Sequence, residues 1–270
     1  MKQRHILITG ASSGLGAALA RHYAREGVGL LLIARNAARL DAVAQDCRVR
    51  GAQVRREILD VRDSMALARL IAQVDAETPI DTVIANAGVE ASLGGAGEAE
   101  PLHDVLAQIR TNFEGAIATV LPLLDSMRRR GEGRVVLVSS LAGRMPMPDQ
   151  PTYSATKAGL SAFGEALRPV LAARGVRLTV ACPGFIDTGM SRVYRGWRPL
   201  QWDAPRAAAA IAAAVERGAR SVAFPLPLVV LIGLGRCVPA FVREAVLRLF
   251  FAVEVGTVPK KGATPVVGPP

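Results

Sequence analysis

Residues 6–16 read Ile6-Leu7-Ile8-Thr9-Gly10-Ala11-Ser12-Ser13-Gly14-Leu15-Gly16, and an alanine-rich stretch follows. Ile6–Thr9 is a short β-type apolar run, the glycines permit a tight turn, and the alanine-rich segment opens a helix. A strand, a glycine turn and a helix N-terminus in that order aim backbone N–H groups and the positive end of a helix dipole at one point, where a diphosphate can sit. The spacing is GxxxGxG rather than GxGxxG, so the strand–turn–helix context carries the reading. Gly10, Ser12, Ser13, Gly14, Leu15 and Gly16 are therefore candidate contacts to a dinucleotide.

The same alternation continues along the chain. Gly29–Ala34, Val54–Leu59, Thr82–Ala85, Arg134–Ser139 and Arg177–Ala181 are further β-rich runs, separated by Ala-, Leu- and Arg-rich segments long enough for crossover helices. This order predicts a parallel sheet with helices on both faces. In such sheets ligands bind beyond the carboxyl ends of the strands, so residues just after each run carry the functional interest.

No repeat, linker or charge block divides residues 1–220. A single α/β domain is expected over 1–222, continued by an apolar extension over 223–256 and a Pro/Gly-rich loose tail over 257–270. Residues 224–239 are apolar but broken by prolines and glycines, too short a run for a membrane span of about 20 residues. In 241–253, helical spacing places Val242, Ala245, Val246, Leu249, Phe250 and Val253 on one face, with Arg243, Glu244 and Arg248 elsewhere.

Half of the 270 residues are hydrophobic and mean hydropathy is +0.28, which excludes a disordered, collagenous or disulfide-stapled chain. Cys47, Cys182 and Cys237 form no CxxC pair, so neither structural zinc nor a disulfide framework is expected, and a reducing compartment suits the count. The N-terminal apolar run is too short for a signal peptide, and a cytoplasmic location is expected. The net charge of +10 is spread along the chain and aromatics are only 4%, so it reads as a solvated arginine-rich surface and no nucleic-acid partner is expected. His5, His22 and His103 have neither zinc nor triad spacing, and HExxH, GxSxG and GxxxxGK[ST] are absent. This weighs against a zinc peptidase, an esterase and a P-loop NTPase, and no metal site is expected.

The chemistry-bearing segment is Tyr153-Ser154-Ala155-Thr156-Lys157, which sets a phenol and an ammonium one helical turn apart. A free phenol has a pKa of about 10. A neighbouring ammonium favours the phenolate, so Tyr153 could exchange a proton with a hydroxyl or carbonyl oxygen near neutral pH. Ser140 directly follows the Arg134–Ser139 run and could bond the same oxygen, Asn86-Ala87-Gly88 follows another strand, and Asn112 lies in a later helix. About 20 residues past the glycine turn, where a carboxylate would select NAD, stands Ala34-Arg35-Asn36, with Arg39 a turn later. Arg35, helped by Ser12, could instead pair a ribose 2′-phosphate. NADP(H) is therefore the preferred cofactor, with NAD(H) left open.

These residues together resemble the short-chain dehydrogenase/reductase family in its single-domain form, with motifs running from Thr9 to Thr188. The resemblance implies an α/β fold of Rossmann type, a doubly wound parallel sheet in three αβα layers, here with an apolar helical C-terminal extension. It implies a catalytic tetrad of Asn112, Ser140, Tyr153 and Lys157. In relatives the tyrosine is the general acid/base, the serine positions the substrate oxygen, the lysine contacts the nicotinamide ribose and lowers the tyrosine pKa, and the asparagine holds a water of a proton relay. Ser140 rather than Ser139 is chosen because it lies 13 residues before Tyr153. The resemblance also sets Asp60 and Val61 beside the adenine and Asn86, Ala87 and Gly88 along the cofactor. It assigns Pro183, Gly184, Ile186 and Thr188 to the loop that receives the carboxamide.

Two features depart from the family pattern: Ala85 stands where many relatives have asparagine, and the chain after Phe224 is longer and more apolar. Residues 189–204 correspond to a substrate lid, in which Tyr194, Trp197 and Trp202 either face an apolar substrate or pack on the protein. The 224–253 segment has three readings, with interface or self-packing ahead of membrane contact and of completing the substrate pocket. Membrane contact would place the protein at the inner face. The expected activity is NADP(H)-dependent interconversion of an apolar carbonyl compound and a secondary alcohol by a homodimer or homotetramer. The alternatives are an NAD-dependent sugar, sterol or lipid alcohol dehydrogenase, and a catalytically silent NADP-binding sensor or scaffold.

Overall fold

The structure is a computed structural model that describes residues 3–91, 99–191, 198–239 and 241–242. The apolar runs form strands β1 (Arg4–Thr9), β2 (Val28–Ala34), β3 (Gln53–Ile58), β4 (Thr82–Ala85), β5 (Gly133–Val138) and β6 (Val176–Pro183). Between and after them lie α1 (Gly14–Tyr23), α2 (Ala37–Val49), α3 (Ser64–Glu77), α4 (Leu102–Ile109), α5 (Gly115–Arg130) and α6 (Pro151–Ala172). The short pair β7 (Ile186–Asp187) and β8 (Trp202–Asp203) follows, then α7 (Ala204–Glu216), β9 (Ser221–Phe224) and α8 (Leu226–Gly235).

The main sheet has seven parallel strands in the order β3-β2-β1-β4-β5-β6-β9. The order reverses between β1 and β4, so their carboxyl ends diverge into a crevice. Every residue of β2 is buried because both faces are covered by helices. Edge strand β3 carries Arg55, Arg56 and Glu57, as suits a strand with one open side. One apolar core joins the sheet to α1, α2 and α7, and the other joins it to α3, α5, α6 and the inner side of α8.

Two features were not legible beforehand. β9 extends the sheet by pairing with β6 from Val180↔Ser221 to Pro183↔Phe224, so the expected boundary at 222/223 falls inside a strand. The apolar segment after it forms α8, which buries Leu228 and Ile232 and leaves Leu226, Val230, Leu231 and Leu234 exposed. Its sequence is apolar all round, so no period marked which side would be covered. Of the helical face expected over 241–253, only Val242 is among the described residues, and the 257–270 tail lies outside them. No helix among the described residues is long and apolar enough to cross a membrane.

Candidate active site

A cleft of about 460 Å³ runs along the carboxyl ends of the strands, from the glycine turn to α8. At its first end Gly10 and Gly14 have φ of +68° and +52°, which L side chains rarely adopt. A Cβ on Gly16 would lie 2.2 Å from the Gly10 carbonyl oxygen, so helix and turn touch only because that side chain is missing. Ser13 caps α1 in extended conformation without a side-chain bond, and the first turn holds no acidic residue. The leading N–H groups are thus left free of side-chain partners and face the cleft, as a diphosphate requires. Thr9 ties β1 to β4: its hydroxyl accepts from the backbone N–H of Asn86 (3.2 Å) and Ala87 (3.3 Å), while Asn86 Nδ2 donates to the Thr9 carbonyl (3.0 Å).

Arg35 and Arg39 line the cleft beside Asp60 and Val61. No carboxylate neighbours Arg35 in sequence, but the fold brings one: Arg35 Nη1 lies 3.4 Å from Asp60 Oδ2. Arg62 holds that carboxylate more closely, donating from Nε (2.9 Å), Nη2 (2.6 Å) and its backbone N–H (3.0 Å). Burial pulls Asp60 upward, but the Arg62 bonds and the Arg35 charge together hold it below the usual carboxylate range. With Asp60 engaged by Arg62, the half-exposed Arg35 guanidinium keeps donors free for a phosphate. At this end the residues present fit a phosphorylated dinucleotide.

At the far end α6 presents Tyr153 and Lys157 to the cleft together with Ser140, which begins the turn after β5. Lys157 is buried, donates to the Val138 carbonyl (2.9 Å) and sits 5.7 Å from the Tyr153 ring centre. The two serines separate clearly. Ser139 is buried with its hydroxyl bonded to the Lys157 carbonyl and Ser161, whereas the Ser140 side chain interacts with the Tyr153 phenol.

The surroundings push the tyrosine the other way from the lowering expected of the lysine. Burial pushes Tyr153 upward, reinforced by the charge of Glu90 and only partly opposed by Ser140. Burial also pushes Lys157 down to about 8, against smaller upward pulls from Cys182 and Glu90. Desolvation disfavours both charged forms at once.

Asn112 does not line the cleft. It sits fully buried in a π-helical turn (Arg110–Glu114) between α4 and α5. Its side chain brackets Val89, donating to the carbonyl (2.9 Å) and accepting from the N–H (2.8 Å), and it donates to Thr156 Oγ1 (3.2 Å). Gly88, Pro183, Gly184, Ile186 and Thr188 line the cleft, and Thr188 packs where a Cβ on Gly14 would be (3.1 Å).

Sequence reading missed Glu90 and Gln150, and also Leu141, Met145 and Met147 of an apolar wall that Leu228 and Ile232 extend, as the pocket-completing reading of the 224–253 segment had it. Glu90 was findable, since it lies two residues past Gly88 after a strand end; the wall assembles from distant segments with no shared pattern. Trp202 turns away from the cleft, stacked on Phe224 (4.5 Å) with the Arg206 guanidinium on its ring (3.9 Å). Tyr194 and Trp197 lie outside the described residues. Among the described residues, no group of three or more His, Cys, Asp or Glu side chains could hold a metal.

The family model for short chain dehydrogenase matches residues 4–199. An uncharacterized oxidoreductase of Myxococcus xanthus is 36% identical over 251 residues, spanning 92% of this chain and 98% of its own. The ketoacyl reductase HetN of Nostoc sp. is 36% identical over 188 residues, 69% of this chain and 65% of that protein. A short-chain dehydrogenase from Sphingobium yanoikuyae, solved in complex with NADPH, superposes with a TM-score of 0.76 at 26% identity, covering 87% of this chain and 94% of that one.

Proposed function

The chain belongs to the short chain dehydrogenase family and is an oxidoreductase; from that premise we propose that it is an NADP(H)-dependent reductase of apolar carbonyl compounds, with Tyr153 as general acid/base. The observation that carries this reading is the meeting of Tyr153, Ser140 and Lys157 in the same cleft as the glycine turn and Arg35. The NADPH in the Sphingobium relative supports the same cofactor here, and the half-exposed Arg35, only loosely paired with Asp60, favours its 2′-phosphate over the bare hydroxyl of NAD.

Bound there, the nicotinamide would supply the hydride. Gly10, Ser12, Ser13, Gly14, Leu15 and Gly16 would hold its diphosphate, Asp60 and Val61 the adenine side, and Asn86, Ala87 and Gly88 the cofactor's middle. Pro183, Gly184, Ile186 and Thr188 would close on the carboxamide. Ser140 holds the substrate oxygen against the Tyr153 hydroxyl, which donates its proton as the carbonyl becomes an alcohol. Lys157, fixed on the Val138 carbonyl, stands one turn behind as the cation that steadies the phenolate left by that transfer. Tyr153, pushed upward by burial, is a phenol at neutral pH, the protonation state from which a carbonyl oxygen can take a proton. Asn112 acts as a positioning residue, through Val89 and Thr156.

Leu141, Met145, Met147, Phe185, Leu228 and Ile232 make the substrate end apolar. Members of the family act on small molecules and are generally oligomeric, and a homodimer is the assembly expected here. The test is the decay of NADPH absorbance with a panel of ketones, aldehydes and 3-oxoacyl compounds, with a parallel NADH arm. Decay with at least one apolar member, faster with NADPH, is expected. Cofactor binding with no decay across the panel would favour the silent sensor instead.

A further inference from the structure

Helix α8 has two unlike sides. On the inner one Leu228 and Ile232 are buried and line the cleft. On the outer one Leu226, Val230, Leu231 and Leu234 face solvent, and Val238 and Phe241 continue the exposed apolar stretch along the chain. These six side chains are 40–74% exposed. A helix that is apolar all round needs cover on both sides, and the described residues cover α8 on one. Large apolar side chains grouped on one stretch of surface, rather than dispersed singly, mark a contact surface.

The charges along this stretch have one sign. From Phe224 to Arg243 the sequence holds no aspartate or glutamate, and Arg236 and Arg243 are its charged residues. Arg236 directly follows α8 and is exposed. Beyond it the sequence adds Arg248, Lys260 and Lys261 against Glu244 and Glu254, so the positive balance continues to residue 270. A second copy of the chain would set these cations against one another. Anionic headgroups over an apolar interior match both features: apolar side chains enter the acyl boundary while guanidinium groups stay among the headgroups.

We propose that the outer side of α8, with Val238 and Phe241, docks the protein on the surface of an anionic phospholipid bilayer. The contact is peripheral, because α8 has ten residues and a span needs about 20. The helix that meets lipid with one side walls the substrate end of the cleft with the other. Carbonyl compounds dissolved in the bilayer are the substrates this placement fits. That substrate class rests on the proposed reduction; the docking does not.

The test is co-sedimentation of the full chain with vesicles of phosphatidylcholine alone and of phosphatidylcholine with phosphatidylglycerol, at low and high salt. Binding to the anionic vesicles is expected, about tenfold or more weaker without phosphatidylglycerol or at high salt. Leu231→Glu with Leu234→Glu puts two carboxylates on the exposed side, away from the cleft. This double variant is expected to lose about tenfold or more of the binding, with circular dichroism and NADPH-dependent reduction of a short, water-soluble ketone unchanged. Its reduction of a long-chain ketone dissolved in anionic vesicles should fall together with binding. If only binding falls, the substrate class is overturned and the docking stands. A wild type that stays off anionic vesicles, or a double variant that binds them like wild type, would overturn the docking. Equal binding to both vesicles would overturn the choice of anionic lipid. A wild type that stays off vesicles, but whose mass in sedimentation drops in the double variant, would assign the surface to a second copy instead. Vesicle binding is read without turnover, so its failure is distinguishable from failure of the reductase reading.

Discussion

At the scale of single residues, the site depends on which charges are spent inside the protein and which are left over. Arg62 holds Asp60 more closely than Arg35 does, which leaves Arg35 donors for the 2′-phosphate in the function proposed above. Arg35→Asp is expected to lower the NADPH:NADH preference in KM by roughly 10- to 100-fold, the worth of a charge-assisted hydrogen bond. An unchanged preference would remove Arg35 from 2′-phosphate recognition. Glu90 gives a stability signature separate from kinetics. Its carboxyl is raised from 4.5 to about 7 on folding, so the folded state binds its proton more tightly than the unfolded chain does. That contribution is fully present below pH 4.5 and is lost as pH rises through about 7. Relative to Glu90→Gln, wild type should therefore lose up to ~3 kcal/mol between pH 5 and pH 8 in denaturant unfolding. The opposite slope would show that Glu90 is held as a stabilised anion. Arg35 and Tyr153 could be read from sequence because each sits at a fixed distance from a recognisable pattern. The direction of the Tyr153 shift could not, because it depends on how much water the surrounding elements exclude.

At the scale of elements, strand–turn–helix units were legible because a buried parallel strand is an unbroken apolar run and its crossover helix must follow. The expected strands match the observed ones to within two residues at each end, with Leu59 and Ser139 falling one residue past β3 and β5. β9 escaped because Ser221–Phe224 is only four residues long and has no crossover pattern after it. α8 escaped because uniform apolarity carries no period. Two changes probe these elements. Gly16→Ala forces a methyl to 2.2 Å from the Gly10 carbonyl. It is expected to destabilise by about 1–3 kcal/mol and to weaken NADPH binding more than it slows turnover at saturation, which fluorescence titration and kcat together would separate. Leu228→Ala opens the α8 wall of the cleft. It should raise KM for a bulky apolar carbonyl several-fold while leaving KM for NADPH unchanged; equal effects on both would mean that α8 bears on the cofactor rather than the substrate.

At the scale of the whole molecule, the sheet's reversal point sets the crevice, and two separate cores hold its walls rigid. Leu121 on α5 and Val170 on α6 are each 52% exposed, and large apolar side chains on the helices flanking the site suit burial against a second copy. Changing both to lysine is expected to lower the native mass in sedimentation from dimer to monomer with little change in Tm; an unchanged mass would put the interface elsewhere. In the proposed reaction the cleft is one device, with a dinucleotide at the glycine turn and a tyrosine proton at the other end. Its most direct measurement is NADPH-dependent carbonyl reduction by Tyr153→Phe beside wild type, with NADPH affinity determined for both. Turnover reduced by about 10²-fold or more with affinity retained is expected, and a Tyr153→Phe protein that binds NADPH and reduces the carbonyl at the wild-type rate would contradict it.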